Sequence, residues 1–173
     1  MRALPHHYES VASVPAPAQS VFSHIDDHAR LSSHMGRASW AMGGGRMEVI
    51  TDEGLGRTVG SHIRMTGRAF GIRLSLDEVV TERDVPRRKV WETAGQPRLL
   101  VIGQYRMGFE ITPQGSVSRL CVFIDYALPD SAPQRWLGRL FGRYFARWCT
   151  QRMVSDAVSH FRVREPLRTI KSV

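Results

Sequence analysis

Val117 to Cys149, "VSRLCVFIDYALPDSAPQRWLGRLFGRYFARWC", holds two periodicities in immediate succession. Up to Tyr126 the residues alternate, with Leu120, Val122, Ile124 and Tyr126 on one side and Arg119 and Asp125 on the other, the period of a half-buried strand. After "ALPD" the period becomes helical. Ser131 to Gln134 has the Ser-x-x-Gln form of a capping box, and proline is tolerated in a first turn, so Pro133 fits. The helical pattern continues to about Phe161, and Pro166 forbids much more. One long helix therefore closes a chain whose preceding part is strand.

Working back from this junction, turn residues separate further strands. They read "RMEVITD", "RTVGSHIRMTG", "FGIRLSLDEVVTE", "RKVWETAG" and "LLVIGQYRMGFEIT". Breaks are expected at Gly54 to Gly56, near Gly67, at Val85-Pro86, at Gln96-Pro97 and at Pro113 to Gly115. Short connections imply an antiparallel meander. "HYESVASV", from His7, reads as an opening strand. "AQSVFSHI" after Pro17 reads as a short helix, and "DDHARLSSHM" as a second one entered through Asp26 and Asp27.

This order resembles the helix-grip fold of the START-like, or SRPBCC, superfamily. The residues carrying the likeness are "SVPAPAQSVFSHIDD" (Ser13 to Asp27), "LDEVVTE" (Leu76 to Glu82) and "FIDYALP" (Phe123 to Pro129). That superfamily includes aromatic polyketide cyclases, lipid-transfer domains, birch-pollen-type allergens and coenzyme Q-binding proteins. The resemblance implies an α+β chain in which a curved antiparallel sheet of six to seven strands wraps a long C-terminal helix. Two short helices follow the first strand. Residues 1–173 then form a single START-like domain, with a core of about 7–162 and a tail at 163–173.

Alternation sorts each strand into an inner and an outer face. The inner sets are Met47 and Val49; Val59, Ser61, Ile63 and Met65; Phe70, Ile72, Leu74 and Leu76; Trp91 and Thr93; Val101, Gly103, Tyr105, Met107, Phe109 and Ile111; and Leu120 to Tyr126 in alternation. Glu48, Asp77, Glu92, Glu110 and Asp125 fall mostly outside, so the expected lining is apolar and aromatic with a few hydroxyls. No titratable group for general acid–base work is expected there. From the helix, Gly138, Gly142, Ala146, Cys149, Met153 and Ala157 gather on one side. Small residues there allow a close approach to the sheet or leave space beneath.

A sheet-and-helix cavity holding a small hydrophobic molecule is the leading expectation, the guest being a lipid, a quinone or a polyketide-like aromatic. Its expected lining is Ser61, Ile63, Met65, Trp91, Thr93, Gly103, Tyr105, Met107, Val122, Ile124, Tyr126, Gly142, Ala146 and Met153. His24, His34 and Trp40 are expected at its mouth. The alternative is a cyclase- or dehydratase-like enzyme, in which Tyr105, Tyr126, Trp91 or a histidine polarises a bound carbonyl. Lacking an evident acid or base, the sequence leans away from catalysis.

The helix has a second apolar side, with Leu137, Phe141, Tyr144, Phe145 and Trp148 flanked by Arg135, Arg139, Arg143 and Arg147. Either a separate partner covers it, or a kink near Gly142 turns both sides inward. The candidate partners are the short helices, a second copy in a homodimer, and an anionic membrane surface.

Other classes find less support. The formal net charge is +8, yet only Lys89 and Lys171 are lysine, so 22 basic residues are arginine, and asparagine is absent. GC-rich coding explains that spread, and no basic run accompanies a nucleic-acid recognition motif. His24 and His28 are four apart, a ligand-like spacing, with His34 following, but Asp26-Asp27 should break the helix and no third ligand is evident, so neither metal nor cofactor is expected. "GLGRTVG" lies between strands and reads as a turn, not a dinucleotide fingerprint. Cys121 and Cys149 read as core residues and not a disulfide. The opening residues lack a signal-peptide pattern, and the chain reads as cytoplasmic.

Overall fold

The computed structural model of the chain describes residues 3–27 and 46–162. Strand β1 (His6–Val14) leads into helix α1 (Ala18–Ile25). Then come β2 (Arg46–Thr51), β3 (His62–Ala69), β4 (Ile72–Asp84), β5 (Arg88–Arg98), β6 (Tyr105–Gln114) and β7 (Val117–Tyr126). Helix α2 (Ala132–Arg162) completes the described chain. The second short helix expected after α1 lies outside the described residues.

All seven strands form one antiparallel sheet in the order β1-β7-β6-β5-β4-β3-β2. Strands β2 to β7 follow one another as a meander, and β1 pairs with the last of them. Helix α2 packs on β1 and β7, while α1 packs on β6 and β7. The buried core between sheet and helices includes Val14, Phe22, Ile63, Trp91, Phe109 and Leu120.

Strand alternation placed most interior residues correctly, and the departures have local causes. Residues 99–104 lie outside the sheet, so alternation does not apply there: Ile102 is buried while Val101 and Gly103 are half-buried. Val59 precedes β3 in a turn and is exposed. Strand β3 continues through Gly67, and the chain reverses instead at Phe70 and Gly71, both with positive φ (51° and 77°). Positive φ at both central residues characterises the tight hairpin turn whose twist matches the strands. Phe70 and Ile72 therefore stand in solvent at the tip and do not face inward. Gln96-Pro97 does not end β5 either. The pairing with β4 steps from Asp77↔Ala94 to Ser75↔Arg98, so Gly95, Gln96 and Pro97 form a bulge. Proline has no N–H for a ladder, and a bulge is where a strand accepts it.

Helix α2 begins where expected. The Ser131 hydroxyl donates to Gln134 Oε1 at 2.7 Å, and Arg135 N–H donates to the Ser131 carbonyl at 2.8 Å. It runs unbroken through Gly142, with Gly138, Gly142, Ala146, Cys149, Met153 and Ala157 buried and Leu140, Phe141 and Tyr144 exposed. Those exposures fit two separate faces and not a kink that turns both inward. A Cβ on Gly138 would lie 2.7 Å from the Val101 carbonyl oxygen, and one on Gly142 3.2 Å from the same atom. The glycines thus let α2 come down onto backbone.

A buried lysine unforeseen in the core and a half-buried arginine pin the end of α1 to the sheet. Lys89 of β5 is fully buried, and its Nζ donates to the Asp26 carbonyl and to Asp26 Oδ1, both at 2.9 Å. Arg83 of β4 donates to Asp26 Oδ2 at 2.8 Å. Burial pushes the Asp26 carboxyl up, but the hydrogen bonds from Arg83 and Lys89 outweigh it and hold the pKa below its ordinary value. Burial pulls the Lys89 ammonium pKa down against the opposing pull of Asp26.

Candidate ligand-binding site

The interior face of the sheet carries a row of side chains that crosses five strands. Ile63 of β3 stands opposite Glu78 of β4, and Glu78 opposite Thr93 of β5. Tyr105 N–H donates to Thr93 Oγ1 at 3.2 Å, and Tyr105 stands opposite Tyr126 of β7. In the middle of this row the Tyr105 hydroxyl donates to Glu78 Oε1. Glu78 is only 1% exposed. A carboxyl and a phenol therefore meet within a largely apolar interior.

Their surroundings set the chemistry. Burial, then the Glu78 charge, raises the Tyr105 phenol well above its ordinary pKa, so it stays a protonated hydrogen-bond donor. Burial, followed by the same charge, also raises the pKa of the Cys149 thiol on the buried side of α2. Cys149 is then a thiol and not a thiolate nucleophile. Burial raises the Tyr126 phenol too, with the Arg143 charge acting against it.

The sequence places no titratable group inside, and Glu78 overturns that expectation. The signal was in "LSLDEVV": carrying the alternation on from Leu74 and Leu76 brings Glu78 and Val80 to the inner face, and both are buried. The register of "RKVWET" likewise implied Lys89, two residues before the inward Trp91. Asp77, Glu92, Glu110 and Asp125 do face outward, where Arg106 pairs with Glu92 at 3.5 Å and Arg88 with Glu110.

Of the expected lining residues, Ile63, Met65, Trp91, Tyr105, Met107, Val122, Ile124, Tyr126, Ala146 and Met153 belong to one buried cluster. Thr93 is half-buried beside Tyr105. Ser61 is buried but held locally, donating to Asp52 Oδ1 and accepting from Gly56 N–H at 2.9 Å. Gly103 serves a close approach more than it leaves room, since a Cβ there would lie 2.9 Å from the Leu128 carbonyl oxygen. His24 stacks on His160 with ring centroids 3.8 Å apart and meets Phe161 edge-on, which places it against the last turns of α2. His34 and Trp40 lie outside the described residues.

Near the other end of α2 is a pocket of about 230 Å³, lined by Leu99, Ile102, Gln104, Leu128, Ser131 and Gln134 among others. It borders the segment entering β6 at Tyr105 and the one leaving β7 at Tyr126. Among the described residues no three His, Cys, Asp or Glu side chains are grouped to hold a metal ion. No helix there is long and apolar enough to cross a membrane.

Comparison with known proteins agrees with this architecture. A family model described as polyketide cyclase / dehydrase and lipid transport matches residues 5–161. The Zhui aromatase/cyclase from Streptomyces sp. R1128 superposes with a TM-score of 0.68 at 12% identity, covering 97% of this chain and 99% of that one. Norcoclaurine synthase from Thalictrum flavum gives 0.60 at 15% identity, covering 92% and 87%. A protein from Thermus thermophilus gives 0.62 at 14%, covering 93% and 100%. At such identities the likeness establishes the helix-grip fold. No curated protein matches in sequence.

Proposed function

The chain belongs to the polyketide cyclase / dehydrase and lipid transport family, and from that membership we propose that it binds a small hydrophobic molecule between the sheet and α2. The guest is a lipid, a quinone or a polyketide-like aromatic bearing at least one polar group. The observation that carries this reading is the buried Glu78–Tyr105 pair, set in a largely apolar core to which Ala146, Cys149 and Met153 of α2 also belong. Apolar walls supply most of the affinity in such a site, and a few placed polar groups supply orientation. A protonated phenol and its carboxyl partner offer a donor and an acceptor to one hydroxyl or carbonyl of the guest.

Native mass spectrometry of protein purified from its own host tests the reading. An apolar molecule should accompany the protein and leave it on denaturation. Ala146→Phe, which projects a ring from the buried face of α2, should abolish that adduct while Phe141→Ala on the opposite face keeps it. Wild-type protein free of any adduct, and indifferent to quinones and fatty acids in calorimetric titration, would refute it.

The same pair favours a second reading, an enzyme of the cyclase or dehydratase kind. Such chemistry moves a proton to or from carbon beside a carbonyl, and a buried carboxyl next to a phenol has groups suited to that step. Positioning supplies much of the rate in such reactions. Tyr105→Phe and Glu78→Gln separate the readings. An enzyme loses turnover by orders of magnitude with each, whereas a carrier loses only part of its affinity.

A further inference from the structure

Helix α2 inverts the usual arrangement, burying its small side chains and exposing its large ones. Trp136 is 62% exposed, Leu140 54%, Phe141 51% and Tyr144 64%. Leu137, Phe145 and Trp148 are half-buried at the margins of the same surface. At about 100° per residue these side chains span the arc opposite Ala146 and Met153, and Arg139, Arg143 and Arg147 border one side of it. From Ala132 through Ser155 the helix contains no aspartate or glutamate. Its first acid, Asp156, faces Arg152 at 3.6 Å. Among the described residues, Arg139, Arg143 and Arg147 meet no carboxylate, and the contact found for Arg147 is with Gln151.

We propose that this outer face of α2 docks on an anionic phospholipid surface, with Trp136, Leu140, Phe141 and Tyr144 entering the headgroup boundary and Arg139, Arg143 and Arg147 engaging phosphates. Contiguous exposed apolar side chains on a folded domain mark an interaction surface. Aromatic and leucine side chains beside arginine form the pattern of a helix lying in the plane of a bilayer interface. Charge selects this occupant over a second copy of the chain. A two-fold pairing of α2 with itself sets the arginines of each copy near those of the other, with no acid on the face to compensate. Anionic headgroups supply the missing charge. The inference stands on the helix exterior and does not depend on what the interior binds.

Co-sedimentation with vesicles tests it, comparing phosphatidylcholine alone with phosphatidylcholine containing phosphatidylglycerol. The full chain should sediment with the anionic vesicles and be released by salt. A basic residue near such a surface is worth about fivefold in partitioning, so Arg139→Gln combined with Arg147→Gln should weaken binding about 25-fold. Leu140→Ser with Phe141→Ser should abolish it. Both pairs lie outside the core, and unchanged circular dichroism and denaturation midpoints verify that each variant is folded. Failure to sediment, equal sedimentation with neutral vesicles, or binding that survives both variants overturns the proposal. So does light scattering that finds a dimer which the Leu140–Phe141 variant splits.

Discussion

Removing the Tyr105 hydroxyl tests the centre of the site without reference to any guest. In Tyr105→Phe the ring keeps its packing, and Glu78 loses the phenolic donor. Leaving a buried acceptor without its donor costs about 1–3 kcal/mol, so the variant should lose that much stability. For a domain of this length each kcal/mol moves the melting temperature by about 2–4 °C, which predicts a fall of roughly 2–12 °C. Glu78→Leu relieves the buried acid but strips the phenol of this acceptor, a loss of about 1–3 kcal/mol. If the two groups act on each other as their contact indicates, the double variant is more stable than the sum of the single changes predicts, by about 1–2 kcal/mol. Urea denaturation of the four proteins at constant m reads this coupling directly. Additivity within about 0.3–0.5 kcal/mol, or a Tyr105→Phe cost under about 0.5 kcal/mol, would refute the reasoning.

The Tyr105 pKa is raised on folding, so its contribution is complete below the ordinary phenol pKa and is lost as pH climbs through the folded value. Alkaline unfolding should therefore become less steep in Tyr105→Phe, and a spectrophotometric titration of that variant should lack the highest-pH tyrosine step. Asp26 has the opposite sign: its pKa is depressed, so its stabilisation is present above the ordinary carboxylate pKa and fades as pH falls. Asp26→Asn should flatten the acid limb of a stability–pH profile. Asp26→Ala leaves Lys89 buried without its carboxylate and should destabilise by about 3–5 kcal/mol, while Asp26→Asn with Lys89→Met recovers much of that in chemical denaturation. In Gly108→Ala a Cβ would lie 2.6 Å from the Lys89 carbonyl oxygen and 2.9 Å from the Phe123 ring, for an expected loss of about 1–3 kcal/mol by the same measurement.

The architecture was legible because each element had an unambiguous period. Leu120 to Tyr126 alternate, the glycine and alanine positions of α2 recur at three and four, and turn residues separate the strands. The interior polar groups were harder to see, and for a physical reason. Charge ordinarily argues for solvent, so the alternation that places Leu76 and Trp91 inside was not carried on to Glu78 and Lys89. What makes them tolerable is tertiary: Tyr105 comes from β6 and Asp26 from the end of α1, and no local pattern reports either meeting. Phe70 and Ile72 failed differently, because an apolar alternation says nothing about where a sheet ends and its hairpin tip enters water. His24 found its ring partner, His160, in the last turns of α2, a contact between elements that periodicity cannot reach.

The choice of glycine, alanine and cysteine where α2 meets the strands makes that helix a spacer of adjustable thickness. How far it stands from the sheet is set by a few short side chains, above all Gly142, Ala146 and Cys149, while the course of the backbone stays the same. Adding or trimming a methyl at those positions changes the separation of helix and strands without rebuilding a loop. For the guest proposed above, the girth accepted would then be tuned in single-residue steps.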